Sequence, residues 1–489
     1  MRLVRVGLGS IDTTVGAFRE NTDRALALAH DMAANEVTIG VFPEQAIGGY
    51  PVEDLIQWQG FVERQWPELE RFARETAGLA TVFVIGVSVL HDGLRYNCAA
   101  TVAGGSIRSL TPKEKLPTYN VFYEGRTVSR GVPGAFSDVG GVPFGDLVVR
   151  FDFGTIAPEV CEDLWSPEGP TKRRTYSGAE LVCNLSASPF RLGVVQTRRE
   201  LIATRAADYQ CSFAYANLVG ANDGLIFDGG GYLNQNGKWM LEAPRWRQGF
   251  AAATVDLDRT TRLRAENTTW RIDAETYLAD RAAVTTVDVP TAEFSTASSR
   301  AALTYPVPAH GSFFLPEPAQ RGSPREEFFE EILDALTMGV GDYFEKNPVF
   351  RTIGVALSGG RDSLLTLLIA HRYASRVRPD DPGSLLRAFY MPSRHSSAET
   401  RRAAETICRE LGVPLEIVPI DEAYERELAA TEEMLGPGET VTELTRQNIQ
   451  ARIRGQRMWN WSNSSGGLFL QTGNMSEKAV GYTTIGGDL

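Results

Sequence analysis

Three polar residues stand just past the ends of β-prone apolar runs: Glu44 after 37–42, Lys113 after the run that includes 107–110, and Cys161 after 155–160. Singly, each has an ordinary explanation. A glutamate or lysine past a strand is usually solvated, and a lone cysteine usually packs a core. As a set they can do nucleophilic chemistry. An ammonium near a thiol lowers its pKa and can stabilise an oxyanion, and a carboxylate can take the thiol proton. A second constellation is Ser358-Gly359-Gly360-Arg361-Asp362-Ser363. Two glycines let backbone approach a ligand closely, and the free N–H groups of a helix start favour an anion such as phosphate. Ser358 and Ser363 add hydroxyl donors, and Asp362 can hold a divalent cation that bridges phosphate oxygens. No Gly-Lys-Ser/Thr follows, so this is not the P-loop pattern.

These residues need elements to hold them. In the first half, strands are expected over 3–8, 37–42, 81–89, 97–102, 155–160 and 180–185, with helical spacing over 17–34, 66–77 and 195–209. Such alternation predicts a layered α/β domain. Residues 221–224 read as a turn, and Gln235-Asn236-Gly237 as a hairpin. Composition shifts to Pro, Ser, Ala and Gly over 287–326, so the domains are expected at 1–273 and 326–489, with a linker at 274–325. In the second half, helices over 325–344 and 397–411 alternate with strands entering Ser358 and over 386–391 and 415–420. That order predicts a doubly wound parallel sheet with ligands across the carboxyl ends of its strands.

The 489 residues are 43% hydrophobic and 22% charged, as in a globular protein with room for two cores. A net charge of −12 without a basic block argues against a nucleic-acid partner. Cys98, Cys161, Cys183, Cys211 and Cys408 have no metal-ligand spacing, which fits a reducing compartment and no zinc site. No apolar run reaches membrane length and the N-terminus begins as a strand, so a cytoplasmic protein with no membrane partner is expected.

The motifs around these residues resemble known families. Phe42-Pro43-Glu44, Lys113-Glu114-Lys115-Leu116-Pro117 and Val160-Cys161-Glu162-Asp163 resemble the three catalytic motifs of the nitrilase, or carbon–nitrogen hydrolase, superfamily. Their order and spacing are similar to those of the amidase half of glutamine-dependent NAD synthetases. The resemblance implies an N-terminal nitrilase-like αββα sandwich that hydrolyses glutamine. Lys113 rather than Lys115 fits the family position, and Glu124 falls where a second glutamate orients that lysine. Tyr50, Tyr119, Glu162 and Ser188 fall where the family holds glutamine. Val194 follows Gly193 where a basic residue is usual, and Arg191 is near.

Ser358 to Ser363 resembles the loop of the PP-loop ATP pyrophosphatases. Together with Thr472, these residues (Ser358, Gly359, Gly360, Asp362 and Ser363) would contact ATP, a co-substrate. By the same resemblance Asn448, Glu477, Tyr482, Thr483, Thr484 and Ile485 lie at a deamido-NAD site, with Mg²⁺ at Asp362 and Glu477. Arg452 and Arg454 are two apart on an expected helix, so at most one would face a phosphate. The implied function is ATP-dependent amidation of deamido-NAD with ammonia from glutamine, in a homo-oligomer. Family members continue past Gly486-Gly487-Asp488-Leu489, through a lysine-bearing loop, so the second domain is expected to be incomplete at its C-terminus. Two alternatives follow: an active amidase beside a synthetase half that binds nucleotide without making NAD, or a second half that is a nucleotide-sensing or oligomerisation module.

Overall fold

The computed structural model describes residues 1–222, 225–309, 311–313, 325–394 and 396–487. Part of the turn expected at 221–224, and residues 310 and 314–324 of the expected linker, lie outside the described residues. The chain divides into two compact units, Met1–Pro316 and Glu317–Leu489.

Two mixed sheets make the first unit. One runs, in spatial order, Gly249–Asp256, Leu3–Ser10, Ile39–Val41, Val82–His91, Leu94–Ala103, Ser106–Pro112, Val142–Gly145 and Phe136–Val139. The other runs Val219–Asn222, Leu225–Gln235, Ser212–Asn217, Leu181–Ser186, Gly154–Val160, Leu147–Phe151 and Thr285–Asp288, with Lys238–Arg245 beside Leu225–Gln235. Alternation of side chains along each strand explains the stacking. Val4, Val6 and Leu8 of one sheet share a core cluster with Leu181, Cys183 and Leu185 of the other. The opposite faces carry helices. Phe83, Ile85 and Val87 pack with Ala25, Leu28 and Met32 of helix Phe18–Ala34 and with Phe72 of helix Gln65–Glu75. Val182 and Phe213 pack with Ile202 and Ala206 of helix Val194–Asp208. The order is therefore helix, sheet, sheet, helix.

The expected end of this domain near Asp273 falls inside helix Thr268–Ala279, and the following strand Thr285–Asp288 pairs in parallel with Leu147–Phe151. Val289 and Phe294 then enter the inter-sheet core, so a Pro- and Ser-bearing stretch read as linker completes the sandwich. Composition could not reveal this, because an edge strand needs few apolar residues.

The second unit holds a wholly parallel sheet in the order Leu415–Ile417, Leu386–Tyr390, Thr352–Ala356, Gly467–Leu470. Its two faces bury different helices. Ile353 and Val355 pack with Leu367, Ala370 and Ala374 of helix Arg361–Val377 and Cys408 of helix Ala398–Leu411. Phe389 and Met391 pack with Tyr424 and Leu428 of helix Asp421–Glu433 and with Ile449, Ile453 and Met458 of helix Glu443–Ser465. This is the doubly wound arrangement that the alternation predicts. Among the described residues no helix is long and apolar enough to cross a membrane.

Candidate active site

Glu44 follows strand Ile39–Val41 and is fully buried. The segment that carries it lies flat on strand Val82–His91. A side chain at Gly86 would come within 2.3 Å of the Gln45 nitrogen and 2.5 Å of the Pro43 carbonyl oxygen, so glycine there is what seats the glutamate. Glu44 Oε1 accepts from Asn97 Nδ2 and from Lys113 Nζ, both at 2.7 Å, and Oε2 accepts from the Ala187 N–H at 3.0 Å. Lys113, 1% exposed, also donates to Glu124 Oε1 at 2.8 Å. Tyr50 donates its hydroxyl to that same oxygen at 3.1 Å. The ammonium is thus clamped between two carboxylates, and Lys115 pairs elsewhere, with Glu114.

Cys161 stands between strand Gly154–Val160 and the short helix Glu162–Trp165, with φ 43° and ψ −94°. Positive φ in a non-glycine residue is strained backbone, of order 1–3 kcal/mol, and persists only where its surroundings hold it. Here the Cys161 N–H donates to the Leu185 carbonyl at 2.8 Å and buried Asp163 anchors the turn. The residue lines a cavity of about 470 Å³ with Tyr119, Glu162, Ser188, Phe190, Arg191 and Val194 among its walls.

Four residues were expected to hold glutamine, and three of them meet at this cavity. Tyr119 donates to Glu162 Oε1 at 2.8 Å, and Ser188 is fixed through its N–H to Asn217 Oδ1 at 2.9 Å. Tyr50 instead faces Glu124, packs edge-on to Phe227 and lines a neighbouring, smaller cavity with Glu124 and Asn97. Arg191, the basic residue near Val194, lies on the wall of the larger cavity.

The electrostatics divide labour within the set. Burial pushes the Cys161 thiol well up, Glu44 adds to that, and Lys113 only partly offsets it. The expected lowering by the lysine is present as one contribution, but the net direction is upward, because a largely buried thiolate beside two glutamates is poorly solvated. Cys161 therefore rests as a thiol, and any attack by it would need a base. Burial alone would lower Lys113, but Glu124 and Glu44 outweigh it and keep the ammonium charged. Glu124 is pushed up to about 7, by burial first and Glu44 as well, against the pull of Lys113.

Sequence reasoning missed the residues that aim this set. Asn97 and the Ala187 N–H orient Glu44. Arg198, fully buried, donates to the Ser188 carbonyl at 2.8 Å and to Asp228 at 2.9 Å, so it holds Ser188. The sequence carries no signal for them, since each acts through a long-range bond.

In the second unit, the Ser358–Ser363 loop joins strand Thr352–Ala356 to helix Arg361–Val377, as expected. Gly359 has φ +81°, and a Cβ there would meet the Thr400 carbonyl oxygen at 2.3 Å, so only glycine fits. Ser358 and Ser363 hydroxyls lie 3.1 Å apart, and the Gly360 N–H donates to Ser358 Oγ at 3.2 Å. Thr472 follows the adjacent strand Gly467–Leu470, which puts it and Ser358 past neighbouring carboxyl ends. Asn448 accepts from Thr484 at 2.8 Å, the Tyr482 N–H donates to the Glu477 carbonyl at 2.8 Å, and Arg452 donates to the Ile485 carbonyl at 3.2 Å. Helix Glu443–Ser465 thus holds Thr484 and Ile485, while Tyr482 bonds back to Glu477. Arg454 turns the other way, to the Met391 carbonyl at 3.1 Å. Glu477 caps helix Met475–Val480, accepting from the Asn474 N–H at 3.1 Å. Among the described residues no group of three or more His, Cys, Asp or Glu gathers, and all five cysteines are free.

A buried Cys–Glu–Lys set opening from between two stacked sheets defines a cysteine amidase of the carbon–nitrogen hydrolase class. The carbon–nitrogen hydrolase profile matches residues 5–265 and the NAD synthase profile residues 332–489. The chain is 31% identical to a glutamine-dependent NAD(+) synthetase of Thermotoga maritima, over 100% of this chain and 77% of that protein. It is 33% identical to another from Xanthomonas campestris pv. campestris, over 99% and 75%. A solved glutamine-dependent NAD+ synthetase of Acinetobacter baumannii, in complex with ADP, aligns at 26% identity over 99% of this chain and 77% of that one, with a TM-score of 0.47. The chain belongs to the glutamine-dependent NAD(+) synthetase family.

Proposed function

We propose that the first unit releases ammonia from glutamine and that the second uses it, with ATP, to convert deamido-NAD to NAD. The observation that carries this reading is Lys113, buried between Glu44 and Glu124 beside Cys161 at a cavity sized for a small amide. Glutamine enters with its amide at Cys161. The cavity walls carry one anion, Glu162, and one cation, Arg191, which suit an α-ammonium and an α-carboxylate. Glu44 takes the thiol proton as sulfur attacks, and Lys113 faces the oxygen where negative charge grows. Glu44 hands that proton to the amide nitrogen, collapse expels ammonia and leaves a thioester, and water deprotonated by the regenerated Glu44 carboxylate then releases glutamate.

In the second unit the Ser358–Ser363 loop and Thr472 receive the phosphates of ATP, and Asn448 with 482–485 receives deamido-NAD. The nicotinate carboxylate attacks the α-phosphate, pyrophosphate leaves, and ammonia displaces AMP from the adenylate. Asp362 is exposed in the first turn of its helix, and one Glu477 oxygen is engaged by the Asn474 N–H. Both offer the hard carboxylate oxygens that Mg²⁺ takes. The ion would be held by these two residues and would neutralise phosphate charge.

The reading in which only the amidase works is not favoured, because the NAD synthase profile matches residues 332–489 as well and the relatives are named glutamine-dependent NAD(+) synthetases. A cytoplasmic homo-oligomer is part of the proposal, and sedimentation tests the assembly. The test of function is coupling. In Cys161→Ala, glutamine no longer supports NAD formation, whereas ammonium still does, since it bypasses the thiol. Glutamate release that persists in Cys161→Ala would remove the nucleophile from this scheme.

A further inference from the structure

Glu44 and Lys113 follow strands of one sheet, while Cys161 follows a strand of the other. Between the sheets the core contacts are apolar and nondirectional, which fix a spacing far less sharply than hydrogen bonds do, so the few polar links across, such as Glu44 to the Ala187 N–H, set it. Asp163, 1% exposed, supplies such bonds at the site. Its Oδ1 accepts from the N–H groups of Glu114 at 3.0 Å and Lys115 at 2.8 Å, and its Oδ2 from the Val160 N–H at 3.0 Å. Two of its three donors are thus 49 and 48 residues distant, on the segment that directly follows Lys113. A carboxylate that served only its own turn would bond within that turn.

We propose that Asp163 is a positioning residue: it straps the segment bearing Lys113, on one sheet, to the turn bearing Cys161, on the other, and so sets where the ammonium stands against the thiol. The backbone of Lys113 is tied on its own side, its N–H donating to the Asn97 carbonyl at 2.8 Å and its carbonyl accepting from the Gly131 N–H at 2.7 Å. Those bonds place the lysine backbone relative to its own sheet, and only its side chain, through Glu44 and the Ala187 N–H, reaches the other. A second link runs the same way as the strap. Glu114 accepts from Arg173 at 2.6 Å, and Arg173 and Arg174 both hold Asp146, at 2.6 and 3.0 Å. Removing the Asp163 acceptor leaves buried N–H groups unpaired, and the segment can regain partners only by shifting.

The sign of the effect on the thiol separates positioning from direct electrostatics. The groups facing the thiol are Glu44, Lys113, Glu124 and Glu162, with the hydroxyls of Tyr50, Tyr119 and Tyr215, and Asp163 two residues on, its carboxyl pushed up to about 7 by burial and Glu159. Deleting a nearby negative charge would make the thiolate easier to form. Displacing Lys113 would make it harder, because Lys113 is the cation that favours it. Asp163→Asn nearly preserves volume, but its amide cannot accept from all three donors, so one N–H faces another donor.

The experiment measures alkylation of Cys161 by iodoacetamide across pH in the 489-residue chain, with site occupancy read by peptide mass spectrometry. The proposal rests on the Cys161–Lys113–Glu44 reading, but this measurement uses no glutamine, so a failure of glutamine as substrate is seen separately. In Asp163→Asn the alkylation midpoint moves to higher pH. Glutamine turnover falls about tenfold to a hundredfold, the scale expected for misplacement by a fraction of an ångström to an ångström, with KM little changed. Adding Asp163→Asn to Lys113→Met changes the midpoint no further than Lys113→Met alone. An unchanged or lowered midpoint in folded Asp163→Asn, or additive shifts in the double variant, overturns the proposal. If circular dichroism finds Asp163→Asn unfolded, Asp163→Glu, which keeps the carboxylate but displaces it, is read in the same way.

Discussion

Replacing Lys113 with methionine keeps a flexible side chain of similar length and removes the charge. The consequences follow from what surrounds it. Glu44 and Glu124 each approach Nζ at 2.7 Å, Glu44 is fully buried and Glu124 is 9% exposed. Two enclosed carboxylates would then face each other without a cation. Breaking a buried ion pair on one side costs about 3–5 kcal/mol. The carboxylates can reduce this by taking up a proton, and Glu124, already held up to about 7, is the group that does so once the pull of Lys113 is gone. Catalysis loses more. In the proposed mechanism the ammonium is the charged donor near the forming oxyanion, and deleting one such donor costs about 10²–10³ in kcat, or roughly 2.7–4 kcal/mol. Glutamate release by Lys113→Met should therefore fall by about two to three orders of magnitude, with urea midpoints read on the same preparation. Retention of glutaminase activity within about tenfold would refute the oxyanion role. An unchanged urea midpoint would refute the reasoning about the buried pair.

Arg191→Met should raise the KM for glutamine about tenfold or more with kcat nearly constant, because a ground-state carboxylate contact is lost; an unchanged KM excludes the grip. Asp362→Ala should leave the protein folded and slow ATP–pyrophosphate exchange about a few hundredfold; an unchanged rate removes its role at the phosphates. Glu124, raised from 4.5 to about 7, keeps a proton in the folded state that the unfolded chain has released, so its contribution to stability declines as pH rises across that window. Urea unfolding should therefore give a wild-type curve that falls relative to Glu124→Gln by up to about 1.4 kcal/mol per pH unit, and parallel curves would exclude the shift.

The strand ends that carry the candidate residues, and three of the four strands of the second sheet, were legible in the sequence because their signals are local. Glu44, Lys113 and Cys161 each sit just past a strand, and Ser358 to Ser363 is a contiguous loop whose glycines announce close backbone approach. Strand and helix periodicity placed nearly every element that carries them, since burial on two faces writes itself into the order of apolar residues. What the sequence could not supply was distance between segments far apart in the chain. That Lys113 lies between Glu44 and Glu124 depends on two strands of one sheet and a helix start converging. The direction of the Cys161 shift depends on how completely the packed sheets enclose the thiol. Tyr50, read as a glutamine contact, has its hydroxyl on Glu124, and Thr285–Asp288, read as linker, joins a sheet edge through backbone bonds that any side chain permits. Composition and spacing determine which chemistry is available and which elements present it. Only tertiary packing decides which charges share one buried volume, because solvation and Coulomb energy depend on separation in space.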